Sequence, residues 1–296
     1  MGTPSVAEAA ALLAGDHRGR LIQNKQIYYS KEEASGAVTI ALAEFENPFA
    51  PHKGELHLIG SGPGDLKMLT SDSRQALTRC AVWIGYGPYL NYLESIRGHD
   101  QVRIDSKLTF EKDRCQHALD LAKQGVKVGL ISSGDSGIYG MAGLALDLWL
   151  NERLDSRPLF EVHPGISSFQ MAAAKLGAPF MHDFCSISLS DLLTPWNQIE
   201  KRIKSAAIGD FVLAIFNPKS IKRDWQLKKT VDLLLECRNP STPVAIARQL
   251  GRPEESIEIH TLETLPFDRV DMLTILVIGN SPVSYTHLTL PTNREV

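Results

Sequence analysis

Glu55-Leu56-His57-Leu58-Ile59-Gly60-Ser61-Gly62-Pro63-Gly64-Asp65 decides how the rest of this chain reads. Its first half is a short apolar strand, and its second half is a turn with glycine at alternate positions. Gly60, Gly62 and Gly64 permit positive φ and a close approach to bare main chain. Pro63 fixes its own φ and withholds a donor, which stiffens the loop. Asp65 and Thr70 stand where a helix beginning near Leu69 needs its first N–H groups bonded. No Gly-Lys-Ser/Thr follows, so this is not a nucleotide phosphate loop, and the glycines do not fall in the G-x-G-x-x-G spacing of dinucleotide folds. Taken alone, the stretch fits a tight strand-to-helix connection as well as it fits a ligand loop.

Outward from this point the chain alternates regularly. Apolar segments at 55–60, 81–84, 101–104, 126–132 and 159–162 predict strands, and helices fall near 69–79, 86–96, 109–124 and 139–151. Thr109 is placed to cap the third of these helices and Gly125 to end it. Short strands separated by helices predict a mostly parallel sheet covered on both faces. Ligands of such sheets bind at the carboxyl ends of the strands. Two further strand ends carry small residues: Ser132-Ser133-Gly134-Asp135-Ser136-Gly137-Ile138-Tyr139-Gly140 and His163-Pro164-Gly165-Ile166-Ser167-Ser168. Asp135, between glycines, suits a ribose hydroxyl or an ammonium group, or else caps the next helix. Serine hydroxyls open the helix Phe169–Leu176. The three strand ends can converge on one edge. Beyond them, strands are expected at 185–189, 211–216, 243–247, 256–262 and 272–279, with helices at 196–206 and 224–237. Their closer spacing predicts a mixed sheet.

The whole chain has 296 residues, 43% hydrophobic and 22% charged, with a formal net charge of -3. That is room for two α/β domains with real cores, and it calls for neither nucleic acid nor an anionic membrane. No apolar run is long enough to span a bilayer, and no basic flank with an apolar core begins the chain, so a cytoplasmic protein is expected. Cys80, Cys115, Cys185 and Cys237 are scattered without C-x-x-C spacing, which disfavours a disulfide framework or a metal site.

Residues 1–47 differ in character from the remainder of the chain. Ser5–Gly15 reads as a capped helix, Leu21-Ile22 and Ala37–Leu42 as strands, and 48–54 as a linker. These elements are too few to close a core. Gly2, Ser5 to Leu12, Lys25 and Thr39 to Ala43 are similar to the end of the cobalt-precorrin-5A hydrolase family, which implies an incomplete remnant of a preceding domain. At the other end, residues 282–296 change character abruptly and read as a non-native tail; a final strand through Tyr285–Leu290 is the alternative.

Three glycine-bearing strand ends in this order resemble the tetrapyrrole methylase family over Glu55 to Ser281, with Gly-x-Gly-Pro-Gly-Asp intact at 60–65. The second loop departs from the family's Gly-Asp-Pro by carrying Ser136, and a more flexible backbone is expected there. Within the family, His182 to Trp196, Phe216-Asn217-Pro218-Lys219-Ser220, Val270-Asp271-Met272 and Ile278-Gly279-Asn280-Ser281 resemble the members that methylate C-17 of precorrin-3B. The resemblance implies a two-domain α/β architecture. Its N-terminal half (55–166) has a parallel sheet, its C-terminal half (167–281) a mixed sheet, and the cofactor cleft lies between them. It also implies S-adenosylmethionine as cofactor, a tetrapyrrole as substrate and a homodimer as the assembly. The cofactor site carried over is Pro63, Gly134, Asp135, Ile138, Ser167, Ser168, Phe216 and Leu250, the last two through main chain. Candidate bases for the ring contraction are His182, Asp183 and Asp191, although Asp191 is equally a cap for the next helix. Arg114, Lys219, Arg223 and Arg248 are candidates to meet substrate carboxylates. Other possibilities are a different tetrapyrrole methylase, such as a uroporphyrinogen-III C-methyltransferase, or an inactive cofactor-binding partner.

Overall fold

The computed structural model describes residues 19–31, 34–45, 54–107, 110–220 and 223–281, the first two segments by their backbone. The chain forms two compact units, Met1–His52 and Lys53–Val296. In the first, β1 (Gly19–Lys31) pairs antiparallel with β2 (Ala34–Phe45), with a bulge between Leu21 and Gln23. The expected strand at Leu21-Ile22 is thus the start of a much longer one, and Ala37–Leu42 lies inside β2. The expected helix Ser5–Gly15 and the C-terminal tail lie outside the described residues.

The second unit carries two sheets. The first is built from β3 (Glu55–Gly60), β4 (Val82–Tyr86), β5 (Val102–Ser106), β6 (Lys127–Ser132) and β7 (Leu159–His163). Their order is β5-β4-β6-β3-β7, and every pairing is parallel. All five carboxyl ends therefore lie on one edge. Side chains alternate across β3. Leu56 and Leu58 join Leu119, Ala122 and Ala145 of α3 (Glu111–Lys123) and α4 (Ala142–Leu150). Ile59 packs on the opposite face with Ala76 and Leu77 of α1 (Ser71–Arg79), Leu90 of α2 (Gly87–Asn91) and Trp83. Leu56, Leu58 and Ile59 are wholly buried, each contributing about 1.5–3 kcal/mol of apolar burial.

Asp65 and Thr70 do bond the first free N–H groups. Asp65 Oδ1 accepts from Lys67 N at 2.9 Å over a short 3-10 turn, and Thr70 Oγ1 accepts from Ser73 N at 3.1 Å to cap α1. The helix expected over 86–96 is shorter. It divides into α2 and a 3-10 turn at Glu94–Ile96, held by Arg103, which donates to Gly87 O and Asn91 Oδ1 and pairs with Glu94. Helix α3 begins behind Phe110 and ends at Gly125, whose φ is +93°; Thr109 lies outside the described residues.

The second sheet comprises β8 (Phe184–Ser188), β9 (Val212–Phe216), β10 (Pro243–Arg248), β11 (Ser256–Thr261) and β12 (Thr274–Ile278), in the order β11-β10-β12-β9-β8. β8 and β9 are parallel and the remaining pairs antiparallel, the mixed sheet expected from the spacing. Helices α6 (Trp196–Ile208) and α7 (Trp225–Leu235) bury Ile199, Ile203, Leu227 and Leu234 on one face. Helix α5 (Ser168–Leu176) buries Met171, Ala172 and Leu176 on the other.

Candidate active site

The three glycine-bearing strand ends meet at the carboxyl edge of the parallel sheet. Gly62 and Gly134 exchange backbone hydrogen bonds, Gly134 N to Gly62 O at 2.7 Å and Gly62 N to Gly134 O at 3.0 Å. A Cβ on Gly165 would stand 2.1 Å from Gly134 O and 2.7 Å from Gly60 C, so main chain packs on main chain and only glycine fits. Gly62 and Gly134 also take φ of +74° and +68°, the left-handed region that glycine enters without cost.

Asp135 joins two of these loops. Its Oδ1 accepts from Gly137 N at 2.8 Å and Ile138 N at 3.1 Å, and its Oδ2 accepts from Gly165 N at 2.9 Å. Helix α4 begins only at Ala142, so Asp135 does not cap it. The flexible backbone expected at Ser136 is also corrected. Ser136 is fully buried, its hydroxyl donates to Leu58 O at 3.2 Å, and its carbonyl accepts from Ala142 N at 2.9 Å. A serine supplies by side-chain hydrogen bond the rigidity that a proline supplies by its ring. Ser167 is the N-cap of α5, buried, with its N–H donating to Gln170 Oε1 at 2.8 Å; Ser168 is the first helical residue.

The second sheet closes against this edge through two residues that the sequence did not single out, Tyr139 and Arg252. Tyr139 adopts φ of +53°, donates from its hydroxyl to Ser186 O at 2.9 Å, and sets its ring 4.8 Å from that of Phe216. Phe216 continues an aromatic row through Phe169, Phe184 and Phe180. Arg252 donates to Pro63 O at 3.2 Å and Ser133 Oγ at 3.4 Å, with its guanidinium over Tyr89 and Tyr92. Beside it, Gly251 brings its Cα against the Pro63 ring, where a Cβ would lie 3.2 Å from Pro63 Cγ. Leu250 itself is buried against α5, so only its main chain faces this junction. No sequence signal marks Tyr139, because its positive φ and its partner Ser186 exist only in the folded chain.

At the carboxyl ends of β8 and β9 a second polar group assembles. Asn217, at φ +49°, donates from Nδ2 to Ser188 Oγ at 3.0 Å, and Arg223 donates to Asn217 O at 2.6 Å. Asp191 Oδ2 accepts from Gln226 Nε2 at 3.0 Å, and Arg223 Nε lies 3.9 Å from Oδ1. Burial holds the Arg223 guanidinium below its ordinary value, partly offset by Asp191. The N-cap of α6 is Pro195, so Asp191 is not a helix cap. His182 and Asp183 are exposed and precede β8, whereas Asp191 follows it. A five-residue strand puts roughly 17 Å between them. The three candidate bases do not form one site, and Asp191 is the one on the carboxyl side.

The candidate carboxylate-binding cations already have internal partners. Arg248 pairs with Asp271 at 2.7 Å, Lys219 donates to Phe267 O at 3.0 Å, and Arg114 donates to Lys107 O at 2.8 Å. Burial pulls the Asp271 carboxyl upward, but Arg248 and the hydrogen bonds from Thr274 and Leu273 together outweigh it and hold the group below its ordinary value. Arg114 also borders a cavity of about 400 Å³ at the ends of β4 and β5, with Ser106, Lys107, Phe110 and His117, and its buried Nε has no hydrogen-bond partner among the described residues.

A parallel sheet whose glycine loops abut a mixed sheet is the architecture of a methylase of this type. The chain belongs to the tetrapyrrole (corrin/porphyrin) methylases, whose family profile matches residues 55–266. It is similar to a probable cobalt-factor III C(17)-methyltransferase of Salmonella typhimurium, 44% identical over 225 residues that cover 76% of this chain and 92% of that protein. A precorrin-3B C(17)-methyltransferase of Sinorhizobium sp is 39% identical over 77% of this chain and 89% of its own length. The crystal structure of the methyltransferase CobJ superposes with a TM-score of 0.73 at 33% identity, over 77% of this chain and 95% of that one.

Proposed function

We propose that this chain transfers a methyl group from S-adenosylmethionine to C-17 of precorrin-3B or its cobalt counterpart, cobalt-factor III, with contraction of the macrocycle, in cobalamin biosynthesis. The observation that carries this is the similarity to two C(17)-methyltransferases over nearly their whole length. The residues at that cleft fit a sulfonium nucleoside. The glycine junction brings bare main chain to the edge, Tyr139 and Phe216 present an aromatic wall, and the buried hydroxyls of Ser132 and Ser186 lack hydrogen-bond partners among the described residues. Pro63, Gly134, Ile138, Ser167, Ser168 and main chain at Phe216 and Leu250 would hold the cofactor, with Asp135 keeping the second and third loops in register. When bound, it supplies an electrophilic methyl group, the sulfur keeping the electron pair of the broken carbon–sulfur bond.

What the protein contributes is alignment of an in-line displacement and exclusion of water, which can supply several kcal/mol of the barrier. Tyr139, reaching across to Ser186, and Arg252, reaching back to Pro63, fix the two sheets against each other for that purpose. Ring contraction needs a hydroxyl proton removed as a carbon–carbon bond migrates, and we assign that role to Asp191, supported by its position after the carboxyl end of β8. Gln226 holds the Asp191 carboxylate by a hydrogen bond and Arg223 flanks it, so its direction is fixed. The cavity beside Arg114 is the proposed contact for a substrate carboxylate. Homodimeric assembly belongs to the same proposal and rests on the family resemblance; a cytoplasmic location away from nucleic acid and membrane belongs to it too, supported by the net charge of -3 and the sequence's lack of a membrane-length apolar run. The test is methyl transfer from labelled S-adenosylmethionine to precorrin-3B, cobalt-factor III and uroporphyrinogen III in parallel. Turnover confined to either of the first two supports the assignment; preference for uroporphyrinogen III overturns it.

A further inference from the structure

Among the described residues, one group of metal-ligand side chains lies apart from the cleft, under α1 on the buried face of the parallel sheet. His57 projects from the middle of β3 with no exposure, opposite Glu161 of β7, and His163 closes β7 on the same face. His57 Nδ1 and His163 Nε2 are 3.0 Å apart, and Glu161 Oε2 lies 3.4 Å from the first and 3.6 Å from the second. A tetrahedral ion with bonds of about 2.0–2.1 Å sets its ligand atoms roughly 3.3 Å apart, which is the size of this triangle.

The outer ring nitrogens determine what the inner ones can do. His57 Nε2 meets Glu55 Oε2 at 2.9 Å, and His163 Nδ1 meets Asp72 Oδ2 at 2.8 Å. An ionised carboxylate only accepts, so each of these nitrogens carries the ring proton. In neutral imidazoles that leaves His57 Nδ1 and His163 Nε2 as lone pairs aimed at each other and at the Glu161 carboxylate. Three acceptors with no donor among them repel unless a cation sits between. Carboxylates behind two histidines, fixing tautomer and ring direction, are the supports that metal-binding histidines use. Lys127 pairs with Glu55 and Arg79 with Glu161. The group nevertheless keeps three acids against two cations, a negative surplus that favours a bound cation. Glu161 is 40% exposed and gives a path from solvent.

We propose that His57, His163 and Glu161 form a binding site for one divalent transition ion of the borderline class, with zinc the reference, and with a fourth position open to water. Two nitrogens and one oxygen favour such an ion over magnesium or calcium, which prefer all-oxygen shells. The site joins β3, β7 and α1 immediately before Pro164-Gly165, so a bound ion would clamp the third glycine loop from beneath. This is independent of which tetrapyrrole is methylated.

The experiment uses the full chain, with any affinity tag removed, stripped by chelator and titrated with Co(II). The expected result is visible ligand-field absorption of a four-coordinate ion that saturates at one equivalent and is bleached by zinc, together with a zinc-dependent rise in Tm. Glu161→Gln and His163→Asn should abolish the band. Asp72→Asn removes the carboxylate behind His163 and should weaken binding by about 10–100-fold. Both Glu161→Gln and Asp72→Asn alter partly exposed side chains, so an unchanged metal-free Tm will show that they still fold. No saturable band, a band that survives in Glu161→Gln and His163→Asn, or a Tm indifferent to zinc would overturn the proposal. In each case the two histidines would simply share a proton.

Discussion

At Asp135 the two carboxylate oxygens are divided between two loops, and this changes what its removal should do. Three backbone N–H groups lose an ionised acceptor in Asp135→Ala. Hydrogen bonds to charged groups contribute about 1.5–3 kcal/mol, so the variant should show lower stability in urea as well as weaker S-adenosylmethionine binding by calorimetry. Weaker binding at unchanged stability would instead put the carboxylate directly on the cofactor. Asp191→Asn separates differently. The amide keeps the shape and the bond to Gln226 but cannot accept a proton, so cofactor affinity should hold while kcat falls by about 10²-fold or more. Wild-type kcat would remove Asp191 from the chemistry. His182 and Asp183 show why residue type and neighbourhood in sequence are insufficient. They lie within nine positions of Asp191, yet a strand carries them to the opposite end of the sheet.

The elements themselves were legible because their signals are local. The central strands of the parallel sheet, β3, β4 and β6, are short and largely apolar, each break carries glycine or serine, and Thr70 caps its helix as its position predicts. What stayed hidden depends on partners far away in sequence. Ser136 looks like a lost proline until Leu58 O is seen above it, and His57 and His163, 106 positions apart, have no spacing that a search for metal motifs would register. The convergence of the three loops makes a prediction at this scale. Gly165→Ala drives a methyl group into Gly134 O and Gly60, both main chain, so neither can swing aside. Overpacking of this kind typically costs about 1–3 kcal/mol. The variant should unfold at lower urea and lose cofactor binding, whereas Gly143→Ala on α4, where nothing lies within 4 Å, should do neither. Similar behaviour of the two would mean that the loops do not pack as described.

For the whole molecule, the methylase unit from Lys53 onward contains the parallel and the mixed sheet, the core clusters found among the described residues and every residue assigned to the cleft. A chain beginning at Lys53 should therefore keep its methyl-transfer rate, and loss of activity in a folded truncation would give the preceding unit a part in catalysis. Two sheets joined across a glycine edge by Tyr139 and Arg252 form a device for aligning one carbon with one methyl group. Where that methyl group lands is thus the most direct measurement. With S-adenosylmethionine carrying a carbon-13 methyl label and precorrin-3B or cobalt-factor III as acceptor, NMR of the product should show a single enriched methyl at C-17 of a contracted macrocycle. Enrichment at any other ring carbon, or a ring left uncontracted, would contradict the assignment.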